Sequence, residues 1–170
     1  MDSVARLLNA LPEEGARAAL ARCCGSSLWV QRMMTARPYA VDQALFDVAE
    51  RTWWELRAED WLEAFSHHPR IGERIPEGPA ITEELGWAAG EQAGMDRAGR
   101  HVHEALVVGN IEYEERFGHV FLICATGRSG EEMLAALRSR LGNDPEDELR
   151  VAAGEQARIT RLRLEKLVDT

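Results

Sequence analysis

Apolar residues recur at spacings of three and four along most of this chain, and that habit constrains the fold more than any motif in it. Leu45, Val48, Thr52 and Leu56 fall on one helical face, with Phe46, Ala49 and Trp53 beside it. A β-strand turns alternate side chains to opposite faces, so this period does not suit a sheet. The spacing predicts an all-α bundle of roughly seven to nine helices at ordinary helix and loop lengths. End signals agree with it. Ser129-Gly130-Glu131-Glu132 fits a capping box ahead of Met133, Leu134, Leu137 and Leu141, and Gly142 closes that helix. Asp144 as N-cap with Pro145 at the first position opens a last helix through Leu149, Ala152, Ala153, Ile159 and Leu162 towards Leu167.

Two stretches depart from the pattern. Residues 71–82 hold Gly72, Pro76, Gly78 and Pro79, which marks an ordered or mobile loop and not a linker. The run Phe117-Gly118-His119-Val120-Phe121-Leu122-Ile123-Cys124-Ala125 is apolar but short for a helix, and is expected as buried extended chain or an irregular helix start.

At 170 residues and 45% hydrophobic content, one domain over residues 1–170 can bury a core without disulfides or metals. A net charge of -9 disfavours nucleic acid or an anionic membrane as partner. Cys23, Cys24 and Cys124 have no metal-type spacing and are expected as reduced thiols, the vicinal pair filling core. The opening residues lack the pattern of a signal peptide, no run reaches membrane-spanning length, and the end carries no peroxisomal address. The expectation is a cytoplasmic protein.

Against this background two polar features stand out. Trp61, Leu62 and Phe65 are spaced as the apolar face of a short helix, and His68 follows Phe65 by three, on the same face. Pro69 disfavours helical geometry at the residue before it, so the helix should end at about His68, where the negative dipole end favours an imidazolium. That environment suits a proton donor; it equally suits a histidine that only bonds a helix-end carbonyl. His67, one position round, should face solvent. The second feature is Glu91. Met95, Ala98, Val102, Ala105, Leu106, Tyr113 and Phe117 mark the inner face of a long helix, and four residues back along that stripe lies Glu91. A carboxylate there is costly unless paired, although an exposed first-turn Glu that helps initiate a helix would read the same way. Gln92 beside it has the donor and acceptor to fix a urea-like or amide group.

Other constellations are weaker. His101 and His103, two apart on a helix, diverge and make a poor metal pair, and His119 reads as a rim or core histidine. Five tryptophans fit a core or interface. Gly127-Arg128-Ser129-Gly130 lacks the spacing of a phosphate loop, and no nucleophile elbow is present.

Several pieces in order resemble one family. They are Trp61 to Gly72 with Phe65-Ser66-His67-His68-Pro69-Arg70, Trp87 to Met95 with Glu91-Gln92-Ala93-Gly94, Tyr113 to Thr126 with Arg116-Phe117-Gly118, and Glu155-Gln156 to Leu167. Together they are similar to the 2-oxo-4-hydroxy-4-carboxy-5-ureidoimidazoline (OHCU) decarboxylases of uric acid degradation. The resemblance implies an all-α, cofactor-independent, metal-free enzyme, often a homodimer, that releases CO2 from OHCU to give (S)-allantoin. It implies that His68 and Glu91 are catalytic. Substrate contacts are implied for Pro69, Glu91, Gln92 and the backbone of Phe121, Leu122, Ile123, Cys124 and Ala125. Arg163 is a further candidate, as a fork for a carboxylate, though an ordinary surface arginine fits its place on the last helix as well. One departure is Ala88, three residues before the glutamate, where many members carry serine; only its backbone can serve the substrate. Two rival readings remain at this point: a catalytically inactive helical interaction module that retains the pocket, and a metal hydrolase built on His67, His68, His101 and His103.

Overall fold

Hydroxyl and carboxylate side chains at the helix starts do what their chemistry allows. Ser3 Oγ accepts the Arg6 N–H at the head of α1 (Val4–Ala10), and Ser26 Oγ accepts the Trp29 N–H at the head of α3 (Ser27–Thr35). Between them, α2 (Glu13–Cys23) begins after Pro12 with Glu13 and Glu14 in its first, dipole-positive turn. The computed structural model describes residues 2–72 and 99–169. Among these residues there are eight helices and no strand, so the fold is all-α. The others are α4 (Asp42–Trp54), α5 (Ala58–Phe65), α6 (Arg100–Phe117), α7 (Gly130–Arg140) and α8 (Pro145–Lys166). No described helix is long and apolar enough to cross a membrane.

The chain forms two compact units, residues 1–64 with 157–170 and residues 65–156. In the first, helical spacing buries Ala16, Ala19, Leu20 and Cys23 on α2 and Leu45, Phe46, Ala49, Thr52 and Trp53 on α4, as the periodicity requires. The Trp29 indole N–H, fully buried, donates to the Ala49 carbonyl at 3.1 Å. Asp42 in the first turn of α4 accepts from the Ser3 hydroxyl and the Ala5 N–H, which ties the start of α1 to α4 and holds its carboxyl below the usual range. Cys23 and Cys24 are buried thiols, and burial pushes Cys24 up to about 12, the inert state expected of core filler.

The second unit is built on α6 and α7. Leu106 and Tyr113 from α6 meet Met133, Leu134 and Leu137 from α7, with Ile71, Phe121, Ile123 and Ala125 in the same core. A Cβ on Gly109 would lie 2.4 Å from Leu137 Cδ2, so the Leu137 side chain occupies the space a larger residue would need and would have to shift. Ser129 Oγ accepts the Glu132 N–H, and Asp144 Oδ1 accepts the Glu146 N–H, both caps standing where the sequence signals put them.

Two sequence expectations need correction. The helix carrying Tyr113 begins at Arg100, with Gly99 in extended geometry (ψ 160°) as its N-cap. The apolar stripe therefore cannot run as one helix across Gly99 to Glu91; glycine, with the greatest backbone freedom to lose, is where a helix most readily starts or stops. On α5 the buried stripe runs through Ala64 and Phe65, with Trp61 half-buried, while Leu62 is 40% exposed and does not share that face.

Candidate functional site

Helix α5 stops at Phe65, and the next residues make a turn in which the His68 N–H reaches back to the Phe65 carbonyl at 3.1 Å. Pro69 is the cause, since its ring disfavours helical geometry at the residue it follows. The turn leaves His67 exposed and His68 half-buried, the division expected from sequence. His68 Nε2 lies 2.6 Å from Oε1 of Gln156, a fully buried residue on α8.

The chain after Pro69 is pinned from α6. Arg70 forms a two-pronged pair with Glu114, at 2.7 and 3.1 Å, and the buried Asn110 amide donates to the Ile71 carbonyl at 3.0 Å. Gly72 follows with φ 83°, a left-handed conformation that glycine adopts without strain.

The run expected as buried extended chain or an irregular helix start begins with the last residue of α6, Phe117, and has no regular secondary structure after it; Phe121, Leu122, Ile123 and Ala125 are buried. Gly118, at φ 77°, ends α6 and returns its N–H to the Glu114 carbonyl. His119 then lies among the rings of Phe65, Tyr113 and Phe117, with Nδ1 3.1 Å from the Val120 carbonyl. Because a carbonyl only accepts, Nδ1 carries the proton, and burial holds this imidazole below its ordinary value. It is a half-buried histidine at the rim of this core, one of the two places the sequence allowed.

Side chains from α7 and α8 hold the rest of the run in place of a ladder. Arg140 donates to the Leu122 carbonyl at 2.8 Å and covers the Phe121 ring with its guanidinium 4.6 Å from the centroid. Glu148, with no exposure, braces Arg140 at 2.7 Å and accepts from the Tyr113 hydroxyl and the Asn143 amide. Burial first, and the bond to Glu148 second, raise Tyr113 far above the usual phenol range, so it stays a donor. Two residues on, the Cys124 N–H donates to Glu155 Oε2 at 3.2 Å, and the Cys124 carbonyl accepts from Arg128 Nε at 3.1 Å.

Consecutive residues of α8 thus serve two pieces far apart in sequence. Glu155 holds Cys124, and Gln156 holds His68. Pro69, next to His68 in sequence, is half-buried. Arg163 belongs to the other unit, where it is buried and not the surface arginine that was the alternative, with Nη1 donating to the Arg22 carbonyl at 3.3 Å. Ala88, Glu91 and Gln92 lie outside the described residues. Sequence reading passed over Gln156, Glu155, Arg140 and Glu148 as functional supports. The signal was there: Gln156 continues the apolar stripe of Ala152, Ala153 and Ile159, so a polar group was bound to be buried.

Comparison with known proteins bears on this arrangement. A family model described as OHCU decarboxylase matches residues 9–165. The uric acid degradation bifunctional protein TTL of Arabidopsis thaliana is 38% identical over 147 residues, 85% of this chain and 45% of that protein. The 2-oxo-4-hydroxy-4-carboxy-5-ureidoimidazoline decarboxylase of Amia calva is 36% identical over 104 residues, 60% of this chain and 58% of that protein. The chain therefore spans about half the length of these curated relatives. A crystal structure of OHCU decarboxylase in the presence of (S)-allantoin is similar with a TM-score of 0.75 and 35% identity, over 94% of this chain and 100% of that one. A crystal structure of (S)-allantoin synthase, at TM-score 0.72 and 16% identity over 97% of this chain and 53% of that one, shares the fold.

Proposed function

Since this chain belongs to the OHCU decarboxylase family, we propose that it releases CO2 from OHCU and protonates the remaining ring carbon to give (S)-allantoin. The observation that carries the reading is the pairing on α8, where Glu155 and Gln156 hold the backbone of Cys124 and the ring of His68. When the carboxylate leaves, the electrons of the broken C–C bond spread into the conjugated imidazoline ring, so the reaction needs no external electron sink. What the protein supplies is orientation and a proton.

In this reading His68 is the general acid and sets the face on which the carbon is protonated. Glu91 orients or charge-supports His68 and hydrogen-bonds the substrate. Gln92, Pro69, the backbone of Ala88 and the peptide groups of Phe121 to Ala125 hold the ureido and ring polar atoms. Arg163 is the candidate fork for the carboxylate. The enzyme acts without a cofactor, in the cytoplasm and as a homodimer, whose contact is expected to cover the exposed Val107, Val108 and Ile111 of α6. A monomeric mass by light scattering at working concentration would remove the dimer.

The decisive assay follows CO2 release and the handedness of allantoin from freshly generated OHCU, above its spontaneous decay. His68→Ala or His68→Asn should lose about 10²- to 10⁴-fold in rate, the usual contribution of a positioned proton-transfer group. A folded variant running at the wild-type rate, or racemic product from the wild type, refutes the reading.

A further inference from the structure

Gln156 turns an amide oxygen, and not its nitrogen, towards His68 at 2.6 Å. Such an oxygen only accepts, so the proton in this bond sits on His68 Nε2. Gln156 is fully buried on the inner face of α8, where neighbouring Ala152, Ala153, Ile159 and Thr160 are buried too, which restricts its rotamers. Next to it Glu155 directs its carboxylate to the Cys124 amide. Of these two α8 residues, the one bonded to His68 Nε2 is the neutral one.

We propose that Gln156 is a positioning residue that anchors His68 by its Nε2–H, so that Nδ1 is the nitrogen that exchanges a proton with the substrate. The second half rests on the decarboxylase reading; the first does not. A neutral imidazole has one N–H, and the hydrogen bond made by one nitrogen decides what the other presents. With Nε2–H committed to Gln156, the charged ring gives up its Nδ1 proton. That N–H bond breaks as a C–H bond forms at the ring carbon, using the electron pair released by the departing CO2, and Nδ1 keeps its own pair. A carboxylate in place of Gln156 would anchor the ring as firmly but would stabilise the imidazolium and make it a weaker acid. The amide fixes direction without adding that charge.

The test is nitrogen NMR of protein labelled in its histidine rings, with His68 assigned by the signals lost in His68→Asn. Above the histidine titration, wild-type His68 should be the Nε2–H tautomer. Gln156→Met, similar in length but a poor acceptor, should release a mixture with the Nδ1–H form, and Gln156→Glu should restore Nε2–H. In turnover, Gln156→Met should lose about 10- to 100-fold in kcat with KM little changed, the scale seen when the partner orienting a histidine is removed. A wild-type ring protonated on Nδ1, or a Gln156→Met ring still wholly Nε2–H, overturns the proposal. The spectra need no substrate. A wild type inert towards OHCU but with the Nε2–H tautomer would sink the decarboxylase reading and uphold the anchor, while an active wild type with the Nδ1–H tautomer would sink the anchor alone.

Discussion

Replacing Glu148 by glutamine would remove one charge from the buried polar group that holds the Leu122 carbonyl, while keeping the shape of the side chain. Three donors converge on that carboxylate: the Tyr113 hydroxyl at 2.5 Å, Arg140 Nε at 2.7 Å and the Asn143 amide at 2.9 Å. An amide offers one oxygen and puts a donor where the second acceptor stood. Arg140, with only 9% of its side chain exposed, is then a cation facing a neutral group. Breaking a buried ion pair from one side costs about 3–5 kcal/mol, because the surviving charge stays desolvated and uncompensated. At about 2–4 °C per kcal/mol for a chain of this size, the melting temperature should fall by roughly 6–20 °C. Thermal melting followed by circular dichroism reads this directly, with urea unfolding as a check on the free energy. The double variant Glu148→Leu with Arg140→Met separates stability from function. Apolar replacement of both partners is often neutral or better, so stability should largely return. Turnover should not, because the Leu122 carbonyl has lost its donor. A Glu148→Gln protein melting within about 2 °C of wild type would show that the pair is not the buried brace described.

Two further outcomes follow from the second unit. Gly109→Ala gains about 1 kcal/mol of helix propensity but places a methyl 2.4 Å from Cδ2 of the fully buried Leu137, and overpacking costs about 1–3 kcal/mol, so urea unfolding should show a net loss of up to about 2 kcal/mol; a stabilised variant would mean that α7 yields. His119, whose value burial lowers from the ordinary 6.5, is neutral in the fold, so the unfolded chain takes up its proton first as pH falls. Its contribution to stability is full above 6.5 and erodes as pH falls below that, towards the folded-state value. His119→Phe should flatten that part of the urea midpoint profile, and an unaltered slope would discount the half-buried neutral ring.

The sequence was most legible where one residue type has one local use. Ser129 and Asp144 cap helices because their oxygens reach free N–H groups, and Pro69 ends α5 because proline disfavours helical geometry at the residue before it. The placing of His68 inward and His67 outward followed from the spacing to Phe65 alone. Its partner did not, because Gln156 comes 88 residues later and only the packed chain brings it to the ring. The same holds for Arg140 and Leu122, where a surface-type residue is buried by pairing with Glu148. Periodicity reports which face is buried, and says nothing of what a polar group on that face will meet. The long helix read through Tyr113 begins at Arg100, because Gly99 is extended, and Glu91 lies outside the described residues.

Because the run from Phe121 to Ala125 is tethered by side chains, it can be adjusted one peptide group at a time. In a sheet, moving one residue drags its neighbours through the shared ladder. Here the reach of a single side chain sets each position: Arg140 for the Leu122 carbonyl, Glu155 for the Cys124 amide. Shortening Glu155 to aspartate would draw back one support by a methylene and leave the other in place. The segment is in effect a set of separately tunable fixtures, mounted on helices whose own packing need not change when one of them is reset.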